Sequence, residues 1–161
     1  MLRKIQRGAN LSGGGTFVIV ASRYNPEFVD AMLHAAREEL LRAGARVRIV
    51  RVPGAFEIPA AAAKLAGRNS SRPSTINHKI SAIICLGVVF QGETSHAQHI
   101  GWGVTHALAQ IQVLHKIPVI HGVFVFEKQK HARVRCLGKK HNRGTEAAQT
   151  ALEMARVMKS L

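Results

Sequence analysis

The run Gly92-Glu93-Thr94-Ser95-His96 holds residue types that can bind an anion and move a proton beside it. Glycine lets backbone approach a ligand closely. A helix expected from about Thr94 presents unpaired N–H groups at its start, and such groups attract phosphate. His96 would stand beside that anion, and an imidazole titrating at about 6.5 suits proton transfer at neutral pH. Histidine on a first helical turn is commonly a surface residue, so its weight here depends on what surrounds it. His96 and His99, three residues apart, suggest metal only weakly: the pattern places no third ligand, and no metal is expected. Three other segments carry unusual residues: Arg23-Tyr24-Asn25, with the only tyrosine of the chain, Pro53 to Glu57 (PGAFE), and Phe126-Glu127. Each alone has an ordinary explanation, since aromatics at loop tips pack and a glutamate at a helix start serves the dipole.

The elements that must position these groups alternate. Thr16 to Ser22 (TFVIVAS) is a short β-branched run and reads as a buried strand. Asn25-Pro26-Glu27 reads as a helix start, with Asn25 as cap and Pro26 in the first turn. That helix should end at about Ala43, before Gly44. Arg46 to Val52 (RVRIVRV) alternates charged and apolar residues, a second strand with one wetter face, and a helix follows from about Phe56. Gly67 to Lys79 is polar and irregular and reads as a loop. Ile80 to Val89 is the most apolar strand and the expected centre of the sheet. Apolar residues at helical spacing then run to about Leu114, a fourth strand covers Pro118 to Phe124, and a short helix covers Glu127 to Arg135. A terminal helix covers Gly144 to Leu161. This order predicts α/β architecture, a parallel sheet covered by helices on both faces. Ligands of such sheets sit beyond the carboxyl ends of the strands. The four unusual segments each follow a strand, so they should converge on one rim.

Composition narrows the classes. The chain has 161 residues, 47% of them hydrophobic, enough for one domain over residues 16–161 behind an N-terminal extension of residues 1–15. The longest apolar run, Ala82 to Phe90, is too short to cross a bilayer, and no signal peptide or membrane partner is expected. Two cysteines make no disulfide framework, which fits a reducing cytoplasm. Cys85 should be a buried structural thiol, while Cys136 lies in a basic segment able to lower its pKa. The net charge is +14, and seven Lys or Arg residues fall between Lys128 and Arg143 with no acid among them. Such charge favours anionic partners, including phosphorylated small molecules. Aromatics at 5% argue against a stacking surface for single-stranded nucleic acid. Gly13-Gly14-Gly15 precedes a strand and is no dinucleotide fingerprint, and no phosphate-loop lysine motif occurs.

From about Phe17 to Leu161 the chain resembles the lumazine synthase family. VPGAFEIP at Val52 to Pro59 is the most specific anchor, supported by IVASRYN at Ile19 to Asn25, LGVVFQGETSH at Leu86 to His96, PVIHGV at Pro118 to Val123 and the ending that contains NRG and ALEMA. The resemblance implies a three-layer flavodoxin-like sandwich with a four-stranded parallel sheet. It implies condensation of 5-amino-6-(D-ribitylamino)uracil with 3,4-dihydroxy-2-butanone 4-phosphate, without a cofactor, giving 6,7-dimethyl-8-ribityllumazine, phosphate and water in riboflavin biosynthesis. By that resemblance Tyr24 stacks on the pyrimidine, while Ala55, Phe56 and Glu57 hold the ribityl chain. Val88, Val89 and Phe90 read the pyrimidine edge through their backbone. Glu93 and Thr94 cradle the phosphate, His96 transfers protons, His121 is offered to a neighbouring subunit's site, and Arg135 clamps the phosphate.

The chain departs from the family pattern at several positions. Gln91 stands where many members carry Arg, Glu93 where a small or neutral residue is common, and His121 where Phe or Asn is frequent. Val134 replaces a frequent Glu and Arg143 a frequent Lys. Two rival readings follow: a catalytically reduced paralogue acting as shell or carrier, suggested by Gln91 and Glu93, and a basic nucleic-acid-binding domain, suggested by the charge. The resemblance implies a homopentamer and, because the turn Gly138 to Gly144 carries no insertion, a 60-subunit icosahedral shell, with riboflavin synthase as a candidate partner.

Overall fold

A computed structural model describes residues 14–71 and 79–161. Four parallel strands, β1 (Thr16–Ser22), β2 (Arg46–Val52), β3 (Ile80–Phe90) and β4 (Val119–Phe126), form one sheet in the order β2-β1-β3-β4. Helices α1 (Pro26–Arg42) and α5 (Arg143–Ser160) pack on one face, and α2 (Ile58–Ser71) and α3 (His96–His115) on the other. This is the three-layer flavodoxin-like α/β fold. A short α4 (Gln129–Ala132) runs into a π turn, Arg133–Leu137.

Burial on both faces explains the near-continuous apolar runs of β1 and β3. Phe17, Ile19, Ile84 and Leu86 point towards α1 and α5, while Val18, Val20, Ile83 and Cys85 point towards α2 and α3. Successive residues of a strand thus fill two separate cores, and each fully buried large side chain contributes roughly 1.5–3 kcal/mol. β2 is an edge strand, and Arg46, Arg48 and Ile49 on it are exposed.

The segment Asn142-Arg143-Gly144 shows why its types matter. Asn142 Oδ1 accepts the Gly144 N–H at 2.8 Å and caps α5, while its Nδ2 donates to the Cys136 carbonyl at 2.6 Å. Arg143 pairs with Glu146. Gly144 lies so close to α1 that a methyl group there would stand 1.9 Å from the Met32 carbonyl oxygen, so only glycine lets the two helices meet.

The structure departs from expectation in several details. α2 continues through Gly67 to Ser71 where a loop was expected, because the Asn69 side chain docks on β3: its Oδ1 accepts the Ile80 N–H at 2.8 Å and its Nδ2 donates to the Ile80 carbonyl. The rest of the expected loop, residues 72–78, and most of the expected N-terminal extension lie outside the described residues. β4 extends to Phe126 through its register with Phe90. α3 starts at His96, not Thr94. Asn25 precedes α1 but makes no side-chain cap; it adopts the left-handed region at φ 55° and its amide reaches across the sheet.

Candidate active site

Hydrogen bonds lace the four strand ends into one rim. After β1, the Arg23 N–H donates to the Val52 carbonyl at 2.9 Å and the Pro53 carbonyl at 3.1 Å, and the Tyr24 N–H to Pro53 at 3.3 Å. Asn25 Nδ2 donates to the Val88 carbonyl at 2.8 Å, joining the end of β1 to that of β3. The Gln91 N–H donates to the Phe126 carbonyl at 2.8 Å, joining β3 to β4. The expected convergence of the four segments is therefore present.

Tyr24 projects from this rim, 70% exposed, with its ring against Gly54. A methyl group on Gly54 would approach Tyr24 Cδ2 to 3.2 Å and Glu57 Oε2 to 2.8 Å, so glycine is needed for the two side chains to flank it. Ala55, Phe56 and Glu57 form a single 3₁₀ turn before α2. Ala55 is buried against β3 beside Gly87, whereas Phe56 is 63% exposed and leans towards Gly103 of α3. The Glu57 carboxylate accepts the Gly54 N–H at 2.8 Å through Oε2. That bond fixes the carboxylate while its other oxygen stays available to a hydroxyl.

At the end of β3, Val88 is buried and Val89 and Phe90 are half-buried. The Phe90 ring meets Phe28 edge-on at 5.4 Å and also packs near Phe126, which holds the strand end in place. Backbone reading at Val88 is constrained, because its carbonyl already accepts from Asn25. The loop Gln91–Ser95 then carries Glu93 and Thr94, both exposed. Among the described residues the N–H groups of Gly92, Glu93, Thr94 and Ser95 have no acceptor. Thr94 Oγ1 accepts the His96 N–H at 3.4 Å, and Ser95 Oγ lies 3.1 Å from His99 Nε2. His96 is the first residue of α3 and exposed, adjoining this row of unpaired amides. His99 is occupied by Ser95, and among the described residues no group of three His, Cys, Asp or Glu could hold a metal ion.

His121 and Arg135 complete the set of predicted residues. His121 lies in the first half of β4, paired in register with Cys85, five residues before the rim. Its Nε2 is 2.8 Å from Thr105 Oγ1 on α3. The surrounding chain partly strips water from the ring, which lowers its pKa below 6.5 although a backbone hydrogen bond pulls the other way. The structure does not bring His121 to the rim of its own subunit. Arg135 is exposed in the π turn and, among the described residues, has no ion-pair partner, whereas neighbouring Arg133 pairs with Glu27 of α1 at 3.0 Å.

Sequence reasoning missed two features. One is the set of side chains that shape the rim, Asn25 and Gln91, whose polar type at a strand end was the only available signal. The other is a cleft of about 490 Å³ between α3 and β4, bounded by Trp102, Thr105, His106 and the strand Val123 to Val125. Cys136 reverses an expectation: burial pushes its thiol up to about 11, outweighing the downward pull of Arg143 and Arg135. Burial likewise pushes Cys85 up to about 12, the behaviour of an inert core thiol. No helix among the described residues is long and apolar enough to cross a membrane.

The family model for 6,7-dimethyl-8-ribityllumazine synthase matches residues 14–159. The chain is 35% identical over 148 residues to the 6,7-dimethyl-8-ribityllumazine synthase of Stenotrophomonas maltophilia, covering 90% of each chain. A protein of the same name from Xanthomonas campestris is 36% identical over 148 residues, again with 90% of each covered. One from Aquifex aeolicus is 36% identical over 161 residues, covering 98% of this chain and 99% of the relative.

Proposed function

Because the chain belongs to the 6,7-dimethyl-8-ribityllumazine synthase family, a family of transferases in riboflavin biosynthesis, we propose that its rim condenses 5-amino-6-(D-ribitylamino)uracil with 3,4-dihydroxy-2-butanone 4-phosphate. The observation that carries this reading is the row of unpaired amides from Gly92 to Ser95 ending on His96, on the rim that also presents Tyr24 and Glu57. The pyrimidine stacks on Tyr24, and the ribityl hydroxyls donate to Glu57. The phosphate of the second substrate rests on the amides of the 91–95 loop, with Thr94 and Arg135 contributing charge-assisted or hydroxyl contacts.

The uracil's primary amine condenses with the ketone with loss of water, phosphate leaves by elimination, and the ribityl-bearing nitrogen closes the ring on the remaining carbonyl with loss of a second water. His96 moves protons in these steps, a contribution of roughly 10²–10⁴-fold. Holding both substrates together removes a further entropic part of the barrier. Amides and Arg135 stabilise the departing dianion. Mixing the purified chain with both substrates should produce the lumazine absorbance, with one phosphate released per turnover. Silence of the full chain with both substrates present sinks the reading in favour of a catalytically reduced relative.

The site is shared between copies. His121 stands away from its own rim beside the uncovered α3–β4 cleft, which suits a position offered to a neighbour. A homopentamer is the minimum assembly, and the 60-subunit shell is favoured by the short turn Gly138 to Gly144. Riboflavin synthase, which consumes the lumazine, is the candidate partner, and the cytoplasm is the proposed compartment. Light scattering across a salt and phosphate series tests the assembly: a constant mass near five subunits excludes the shell.

A further inference from the structure

Gln91 occupies the first position of the amide-bearing loop, and its side chain is bonded to the backbone of that loop. Its Nε2 donates to the Thr94 carbonyl at 2.7 Å and to the Gly92 carbonyl at 3.2 Å, while its own N–H is anchored on Phe126 of β4. Both side-chain partners are acceptors, so the orientation of the amide is settled: the NH₂ group faces the loop. In a planar trans peptide the C=O of one residue and the N–H of the next point in opposite directions. Pinning the Gly92 carbonyl therefore turns the Glu93 N–H outward, and pinning the Thr94 carbonyl does the same for the Ser95 N–H. Both of those N–H groups lack an acceptor among the described residues.

We propose that Gln91 is a positioning residue that aims the Glu93 and Ser95 amides at the phosphate group, by holding the intervening carbonyls on its far side. This rests on the phosphate reading above. It also accounts for how an acidic residue is tolerated at position 93: the anion meets the backbone N–H of Glu93, whose exposed carboxylate has no partner among the described residues. The side chain of Gln91 is neutral, so its effect is one of aim and not of charge.

The test compares Gln91→Ala and Gln91→Glu with the parent enzyme, reading inhibition by inorganic phosphate and the KM of each substrate. Gln91→Glu keeps the shape but removes both donors. Loss of the two bonds should weaken inorganic phosphate and raise the KM of the butanone phosphate by about tenfold, with the uracil KM unchanged. Gln91→Arg, which restores N–H donors, should recover most of the loss. If Gln91→Glu matches the parent in phosphate inhibition, the side chain only fills space and the proposal is overturned. Equal rises in both KM values, with a lowered melting temperature in Gln91→Ala, overturn it as well. A parent enzyme that turns over both substrates but is indifferent to inorganic phosphate removes the phosphate reading itself, and Gln91's role with it.

Discussion

At the carboxyl rim, polar side chains are spent on neighbouring backbone: Asn25 on Val88, Gln91 on Gly92 and Thr94, Glu57 on Gly54. Along the α3–β4 edge the opposite holds. Trp102 and Val113, on one stripe of α3, are 78% and 76% exposed, and with half-open Val125 they leave an apolar surface over a cleft. The side chains of the rim are fixed by bonds within the chain. The edge leaves large apolar side chains in solvent, a feature that favours covering by another surface. The two regions thus differ in kind: the rim presents fixed polar groups, and the α3–β4 edge presents an exposed apolar face.

The broadest expected effect comes from breaking the edge, which should change assembly and activity together. Trp102→Glu should leave the chain folded but reduce its mass in light scattering to that of one subunit, with kcat/KM falling on the order of hundredfold or more, since a central Trp commonly anchors an interface. Full activity in a monomeric Trp102→Glu variant would show that the rim alone suffices. Next comes the rim itself: His96→Ala should lower kcat by roughly 10²–10⁴-fold while the uracil still binds. Turnover within about threefold of the parent would remove His96 from the chemistry. Arg135→Ala should cost ~1.5–3 kcal/mol in affinity for the butanone phosphate, about ten- to hundredfold in KM. A change confined to the uracil KM would reassign it.

The smallest effect sharpens the comparison by pH. His121 has a folded-state pKa below its ordinary 6.5, so above that pH the ring is neutral in both states and contributes nothing. As pH falls from 6.5 through the folded value, the unfolded chain binds the proton more readily and stability declines. His121→Gln should therefore flatten the acid limb of a melting-temperature profile and leave the plateau above pH 7 alone. An acid limb identical to the parent's would place the proton uptake elsewhere.

Much of this molecule was legible from residue order. β1 and β2 have the bounds their composition suggests, and the rule that ligands gather at strand ends located the rim before any contact was known. What escaped depends on partners remote in sequence. Polarity marked Gly67 to Ser71 as loop, yet Asn69 gains both backbone bonds of Ile80 by staying helical. Asn25 carried every local sign of a cap, but the Val88 carbonyl, 63 residues away, claimed its amide. A basic neighbourhood suggested a lowered pKa for Cys136, and burial of the thiol in the core overruled it. Local propensity says which groups are available, and tertiary competition says where they are used.

The edge position of β2 has a consequence for the protein in concentrated solution. A strand at the border of a sheet presents ladder groups that another chain's strand can copy, the usual route to fibrous aggregates. Here Arg46 and Arg48 alternate along that border, both exposed, and Arg51 at its far end is held by Asp30 at 2.7 Å. Two like charges meeting their own copies across a would-be strand pair repel at close range. These arginines therefore disfavour self-pairing of a segment rich in β-branched residues, and a chain with threonines at positions 46 and 48 should precipitate at concentrations the native one tolerates.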